Sequence, residues 1–265
     1  VHPGGWLTWA ACASLAAVST TDPFYLLPLF ASACLVYAAR KRAGPEQRSF
    51  RTFLIFGAIA LGLRVGLVLF DLGHVSVGGV VYAALEGGRI AVILSIYGAF
   101  SAVSDPFRVL RLAPRRFHEP ALAAALALSI APRTISAAGR VREAQQMRGM
   151  PARRWTSLPA LAVPVLETGL EEAMTLAESM DARGHGRGRR SRYRPDPWSA
   201  VSTITLVVSL AALAIFGAAM LTSPSDLAVS TFPLAWPAAS LPLIAAAFCF
   251  SCPAFLSADD DGGTR

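Results

Sequence analysis

Two short motifs carry the most specific chemistry in this chain. Residues 135–151 have helical spacing, with Ile135, Ala138, Val141, Ala144 and Gln145 near one face, and they run out at Arg148-Gly149 with Pro151 as a stop signal. Residues 166–184 repeat the arrangement: Leu166, Leu170, Ala173, Met174 and Ala177 form an apolar stripe, Glu171, Glu172 and Glu178 turn away, and the stretch closes on Arg183-Gly184. A glycine just past a helix end can take the left-handed conformation, and an arginine in the last turn suits the negative end of the helix dipole. Its guanidinium can project beyond the tip as a planar fork of donors, a shape that fits an acidic groove on a partner. This is recognition chemistry, in which no bond is made or broken. One Arg-Gly is an ordinary helix ending; two, each closing an amphipathic helix, suggest a paired docking device.

Other candidate groups are fewer. Arg64, Glu86 and Arg89 are ionisable residues inside apolar stretches, which marks them as functional candidates. Glu86 and Arg89 lie three apart and can pair on one helix face. A self-neutralising structural pair, with Arg64 extending toward the membrane surface, is the expected arrangement; a proton relay is the alternative. Cys249 and Cys252 have C-x-x-C spacing, but no second cysteine pair or nearby histidine completes a zinc set, so packing thiols are expected. His2, His74, His118 and His185 are scattered, and no nucleophile–base constellation is visible. Neither a catalytic residue nor a cofactor is expected. Lys41 is the only lysine and lies in Arg40-Lys41-Arg42, so no Gly-x-x-x-x-Gly-Lys-Ser/Thr phosphate loop exists. Any use of ATP must come through a partner.

The elements that position these residues are membrane elements. Of 265 residues, 54% are apolar and 15% charged, and the apolar ones arrive in long blocks. That excludes an ordinary soluble domain, and the absence of short alternating segments excludes a porin-type barrel. Nothing at the N-terminus reads as a cleaved signal. Trp6 to Ala39 is broken at Thr20-Thr21-Asp22-Pro23, predicting two short helices joined by a turn. Arg40 to Arg51 holds five basic residues against one acid and is cytoplasmic by the positive-inside rule. Spans follow at Thr52–Phe70 and Val80–Val103, around a loop with neither Lys nor Arg. Ser104-Asp105-Pro106 starts an interfacial amphipathic helix, and Ala121 to Ala131 is a separate apolar run too short to cross. Residues 133–194 hold twelve arginines against six acids, which places them in the cytoplasm. The run Arg187 to Arg194 directly precedes a span, so it reads as an anchor to anionic headgroups rather than a nucleic-acid patch. Pro197–Leu221 and Phe232–Leu256 are the last spans, followed by the acidic tail Asp259-Asp260-Asp261.

The fold class is therefore all-α: a polytopic membrane protein of about six hydrophobic helices with a helical cytoplasmic domain, which the family resemblance described next implies is a coupling domain. Residues 1–103 form N-terminal transmembrane helices, 104–195 cytoplasmic coupling helices, and 196–265 C-terminal transmembrane helices with a short tail.

Ser104-Asp105-Pro106, the junction Ser129 to Arg133, the stretch Glu143 to Gly149 and the stretch Glu178 to Gly184 together resemble the transmembrane T component of energy-coupling factor transporters, the EcfT/CbiQ family. The resemblance implies that two ATP-binding cassette ATPase subunits dock on the Arg-Gly helix ends, through Arg148 and Arg183 with Gly149 and Gly184. It also implies a membrane-embedded S component that binds a vitamin or a metal ion and is reoriented by ATP-driven motion. Glu143-Ala144-Gln145, with Gly149 and then Leu158-Pro159, more faintly resembles the coupling loop of ordinary ABC importer permeases. Two further readings are a membrane-embedded enzyme acting on lipid or isoprenoid, for which Glu167, Glu171 and Glu172 are the nearest candidates, and a self-sufficient carrier using Arg64 and Glu86.

Overall fold

Prolines and short polar side chains set where the helices begin. Pro3 opens α1 (Pro3–Ser19), where His2 Nδ1 accepts the Gly4 amide at 3.1 Å. Asp22 precedes Pro23 at the start of α2 (Pro23–Ala39), and its Oδ1 accepts the Phe24 amide at 2.9 Å. Each side-chain oxygen or ring nitrogen satisfies a donor that the first helical turn leaves without a partner.

The computed structural model describes residues 2–39, 46–70, 76–149, 158–185, 198–223, 227 and 240–256. Beyond α1 and α2 come α3 (Glu46–Phe70), α4 (Val77–Val103), α5 (Pro106–Leu110), a single 3₁₀ turn (Arg115–Phe117), α6 (His118–Met147), α7 (Leu158–Ala182), α8 (Ala200–Thr222), α9 (Leu241–Cys249) and α10 (Cys252–Phe255). No strand occurs among the described residues. Ser49–Phe70, Val77–Val103, Glu119–Met147 and Ala200–Thr222 are long and apolar enough to cross a membrane, and Pro23–Ala39 and Leu241–Phe255 are shorter apolar helices. The protein is thus an all-α, multi-pass membrane protein. It divides into two compact units, Val1–Leu112 with Asp196–Arg265, and Ala113–Pro195.

The first unit is built inside out relative to a soluble core. Along α1 the buried positions include Trp6, Trp9, Ala10, Ala13, Ala16 and Ala17; along α8 they are Ser202, Thr205, Ser209, Ala212 and Phe216. Both sets recur every three or four residues, and the two helices pack along these small-residue seams. Large apolar side chains such as Leu15, Ile204 and Val207 point outward instead. Polar atoms inside the unit are paired. Trp9 Nε1 donates to the Phe250 carbonyl at 2.8 Å, and the Ser240 amide that opens α9 donates to the Tyr25 hydroxyl at 3.0 Å. Thr20 Oγ1 and the Thr21 amide both donate to the Leu227 carbonyl, at 3.0 and 2.9 Å. Trp9→Phe removes one donor and leaves a buried carbonyl unsatisfied, a loss of about 1–3 kcal/mol. A lower midpoint of thermal unfolding for the purified chain checks it.

The turn at Thr20 to Pro23 falls where the sequence puts it. Other boundaries move. The third helix starts at Glu46 rather than Thr52, because Glu46-Gln47-Arg48 are good helix formers with the acid at the favourable end. The fourth starts at Val77 rather than Val80, where Ser76 Oγ accepts the Gly79 amide at 3.1 Å. The amphipathic segment after Asp105 is a five-residue helix that stops at Leu110, short of Pro114. Ala121–Ala131 is not separate: it is the first half of the 30-residue α6, which runs through Pro132 into the arginine-bearing half. Proline removes one helical hydrogen bond, and the alanine-rich flanks carry the helix past it. The last span is broken: α9 ends at Cys249 and α10 begins at Cys252, with the freed Phe250 carbonyl taken by Trp9. The basic loop after Arg40, the loop after Asp71, the Arg187–Arg194 run, residues 232–239 and the acidic tail lie outside the described residues.

α3 is held chiefly by α4. The approach is closest at Gly87, where an added methyl group would stand 2.8 Å from the Leu61 Cα. Backbone meets backbone there, and only glycine fits.

Candidate functional site

In the second unit α6 and α7 pack on one another, and both end in the same backbone arrangement. Gly149 has φ 75° and Gly184 has φ 74°; among the described residues these are the positive-φ glycines. At the end of α7 the Gly184 amide donates to the Asp181 carbonyl at 2.8 Å and the His185 amide donates to the Met180 carbonyl at 3.0 Å. Those two bonds make a Schellman ending, which fixes the residue before glycine at the helix rim. At the end of α6 the Gly149 amide donates to the Gln146 carbonyl at 3.0 Å, the equivalent of the first of them. The Arg148 amide is shared between the carbonyls of Ala144 and Gln145, at 3.2 and 3.1 Å. Both arginine side chains are exposed. The tips are two copies of one device: a helix rim fixed by a left-handed glycine, and a guanidinium at the end carrying the unsatisfied carbonyls.

An alanine at either glycine must hold φ near +75°, a cost of about 1–2 kcal/mol. We expect Gly184→Ala to fray the last turn of α7 while leaving the first unit intact. Faster amide hydrogen exchange confined to residues near 180–185 is the readout.

The faces behind the tips differ from the sequence expectation. On α6, Ala138, Val141, Ala144 and Gln145, which share one face, are half-buried, but Ile135 is 73% exposed. On α7 the apolar stripe does not pack inward: Leu166, Leu170 and Met174 are 70%, 64% and 58% exposed. Val165, Leu176 and Met180, one position off the stripe, are half-buried instead. Periodicity shows that a helix has an apolar face, not that its own chain covers that face. Glu167, Glu171 and Glu172 are exposed on this helix and form no enclosed acid cluster.

Glu86 and Arg89 pair on α4 as the three-residue spacing predicts, with Arg89 Nη2 3.0 Å from Glu86 Oε2. The sequence did not reveal the other half of the contact: Arg89 Nη1 donates to the Val18 carbonyl at 3.3 Å. Val18 lies in the last turn of α1, whose carbonyls need outside donors. The shortness of α1 was the available signal. Arg64 lies across from them on α3, its Cβ 3.4 Å from where a side chain on Gly87 would begin. Cys12, Cys34, Cys249 and Cys252 are free thiols, and among the described residues no three His, Cys, Asp or Glu side chains gather as a metal site.

Comparison with known proteins agrees with this architecture. Residues 1–194 match the CbiQ family model, described as cobalt transport protein. A curated relative, the energy-coupling factor transporter transmembrane protein EcfT of Exiguobacterium sibiricum, is 27% identical over 183 residues. That match covers 58% of this chain and 66% of the relative, just under two thirds of its length. A family of transport components leaves no place for the lipid or isoprenoid enzyme reading. Matched over most of its length, the chain belongs to the EcfT/CbiQ family of non-enzymatic membrane transport components.

Proposed function

We propose that this chain is the energy-coupling subunit of an energy-coupling-factor importer, passing ATP-driven motion from two ATP-binding cassette subunits to a membrane-embedded S component. The observation that carries the reading is the duplicated helix tip: Gly149 and Gly184 share one backbone geometry, each behind an exposed arginine. Paired ATPases offer two grooves, and one chain with two matching tips can engage both. Arg148 and Arg183 supply charge-assisted contacts there. A change in groove spacing moves α6 and α7, and the S component responds to that movement. The arginine-rich stretches 40–51 and 133–194 support a cytoplasmic position for the tips. The cargo class is a vitamin or a transition-metal ion, selected by the S component.

The test is site-specific photo-crosslinking from Met147 and Ala182, the residues just inside the two tips, in membranes of the native host. Both positions should capture ATP-binding cassette subunits, identified by mass spectrometry. Capture from Met147 alone favours the ordinary permease reading, which has one docking loop. Capture of no ATPase from either position overturns the proposal.

A further inference from the structure

Arg64 is an exposed guanidinium in the otherwise apolar second half of α3, and it has neither a hydrogen bond nor an ion pair among the described residues. Such a group does not stay unanswered in a membrane, because its donors must meet an acceptor at the headgroup layer or on another molecule. Its surroundings say which. Glu86 is already held by Arg89 at 3.0 Å, so the three side chains leave one positive charge over. The apolar stretch Ser49–Phe70 has 22 residues, about 33 Å of helix, which matches the hydrocarbon core. Arg64 stands six residues short of Phe70, about 9 Å from that end and on the Phe70 side of the midplane.

A second mark of depth comes from α1. Arg89, two residues along from the Gly87 that Arg64 abuts, reaches the Val18 carbonyl where α1 is about to end. Beyond it the backbone leaves the helix at Thr20, so main chain that no longer pairs within a helix stands beside this turn of α4. Leu63 and Leu67, exposed on either side of Arg64, offer acyl chains an apolar surface.

We propose that Arg64 holds the phosphate of an anionic phospholipid in the leaflet containing Phe70, with the acyl chains lying along the exposed face of α3. The unbalanced charge selects a headgroup with net negative charge over a zwitterionic one. Gly87 contributes by having no side chain to crowd the base of Arg64. The Glu86–Arg89 pair sets the strength of the site by neutralising the second arginine.

The full chain is placed in phosphatidylcholine nanodiscs with a rising fraction of phosphatidylglycerol, extracted, and its retained lipids are counted by native mass spectrometry. Wild type should retain phosphatidylglycerol in preference to phosphatidylcholine. Arg64→Gln should need about fivefold more phosphatidylglycerol for the same retention, the effect of one cation near a charged surface. Arg64→Lys should restore part of the difference, and Glu86→Gln should increase retention by freeing Arg89. Excess inorganic phosphate should not displace the lipid. The proposal is overturned by Arg64→Gln behaving as wild type, by equal retention of the two lipids, by displacement with inorganic phosphate, or by Glu86→Gln failing to raise retention. It also falls if Arg64→Gln keeps its lipid and instead loses an associated membrane protein, which would make that protein the owner of the site.

Discussion

Arg148→Glu combined with Arg183→Glu is expected to abolish co-purification of the ATPase subunits and ATP-dependent uptake together. Each arginine is exposed at a helix tip, so neither substitution disturbs packing within the chain, and the helical content should be unchanged. Removing one partner of a desolvated charge pair costs about 2–5 kcal/mol, and reversal adds repulsion from the acidic groove. That is roughly 30-fold or more in affinity at each tip. The two tips belong to one unit, so engagement of one raises the effective concentration of the other. Single reversals should therefore weaken association and leave some uptake, whereas the double variant loses more than the sum of the two. Full ATPase binding and full uptake in the double variant would remove the coupling role from these residues.

Gly87→Leu is expected to have the largest effect on stability. A methyl group at this position already sits 2.8 Å from the Leu61 Cα, a backbone atom that cannot turn aside. The α3–α4 pair must then spread, at about 3 kcal/mol or more, which is on the order of 10 °C in the unfolding midpoint. Gly66 on the same helix pair provides the contrast, since nothing lies within 4 Å of its position. Gly66→Ala should leave the midpoint unchanged or raise it, through about 0.5–1 kcal/mol of helix propensity. Thermal unfolding of the three purified chains in one detergent decides it. Equal midpoints for Gly87→Leu and wild type would mean that the two backbones do not meet at Leu61.

Local chemistry was legible in the sequence. The α1–α2 turn, the Arg-Gly endings and the Glu86–Arg89 pair each rest on residues within a few positions of one another, where caps, prolines and helical spacing act. What stayed hidden depends on distant segments. The α1 seam of Ala10, Ala13 and Ala17 looks like any apolar run until the distant α8, with Ser202, Thr205 and Ser209 among its own buried positions, packs on α1. The Val18 carbonyl has no side-chain signature at all. Pro132 reads as a helix break by local rules, but a 30-residue helix absorbs it. The α7 stripe was found, and its direction was not, because composition cannot distinguish a face reserved for another molecule from one meant for its own core.

Long-range contacts of the first unit join its early and late helices: the Tyr25 hydroxyl accepts the Ser240 amide at 3.0 Å, and Trp9 reaches Phe250 across 241 positions. During synthesis α1 emerges before α8 and α9 and must wait for them while everything between them is translated. Until then α1 has α2 and α4 to pack against, and the surface it will turn to α8 stays uncovered. Folding of the early helices and closure of the bundle are thus separate events in biogenesis, and a ribosome stalled before residue 200 would leave α1 without α8.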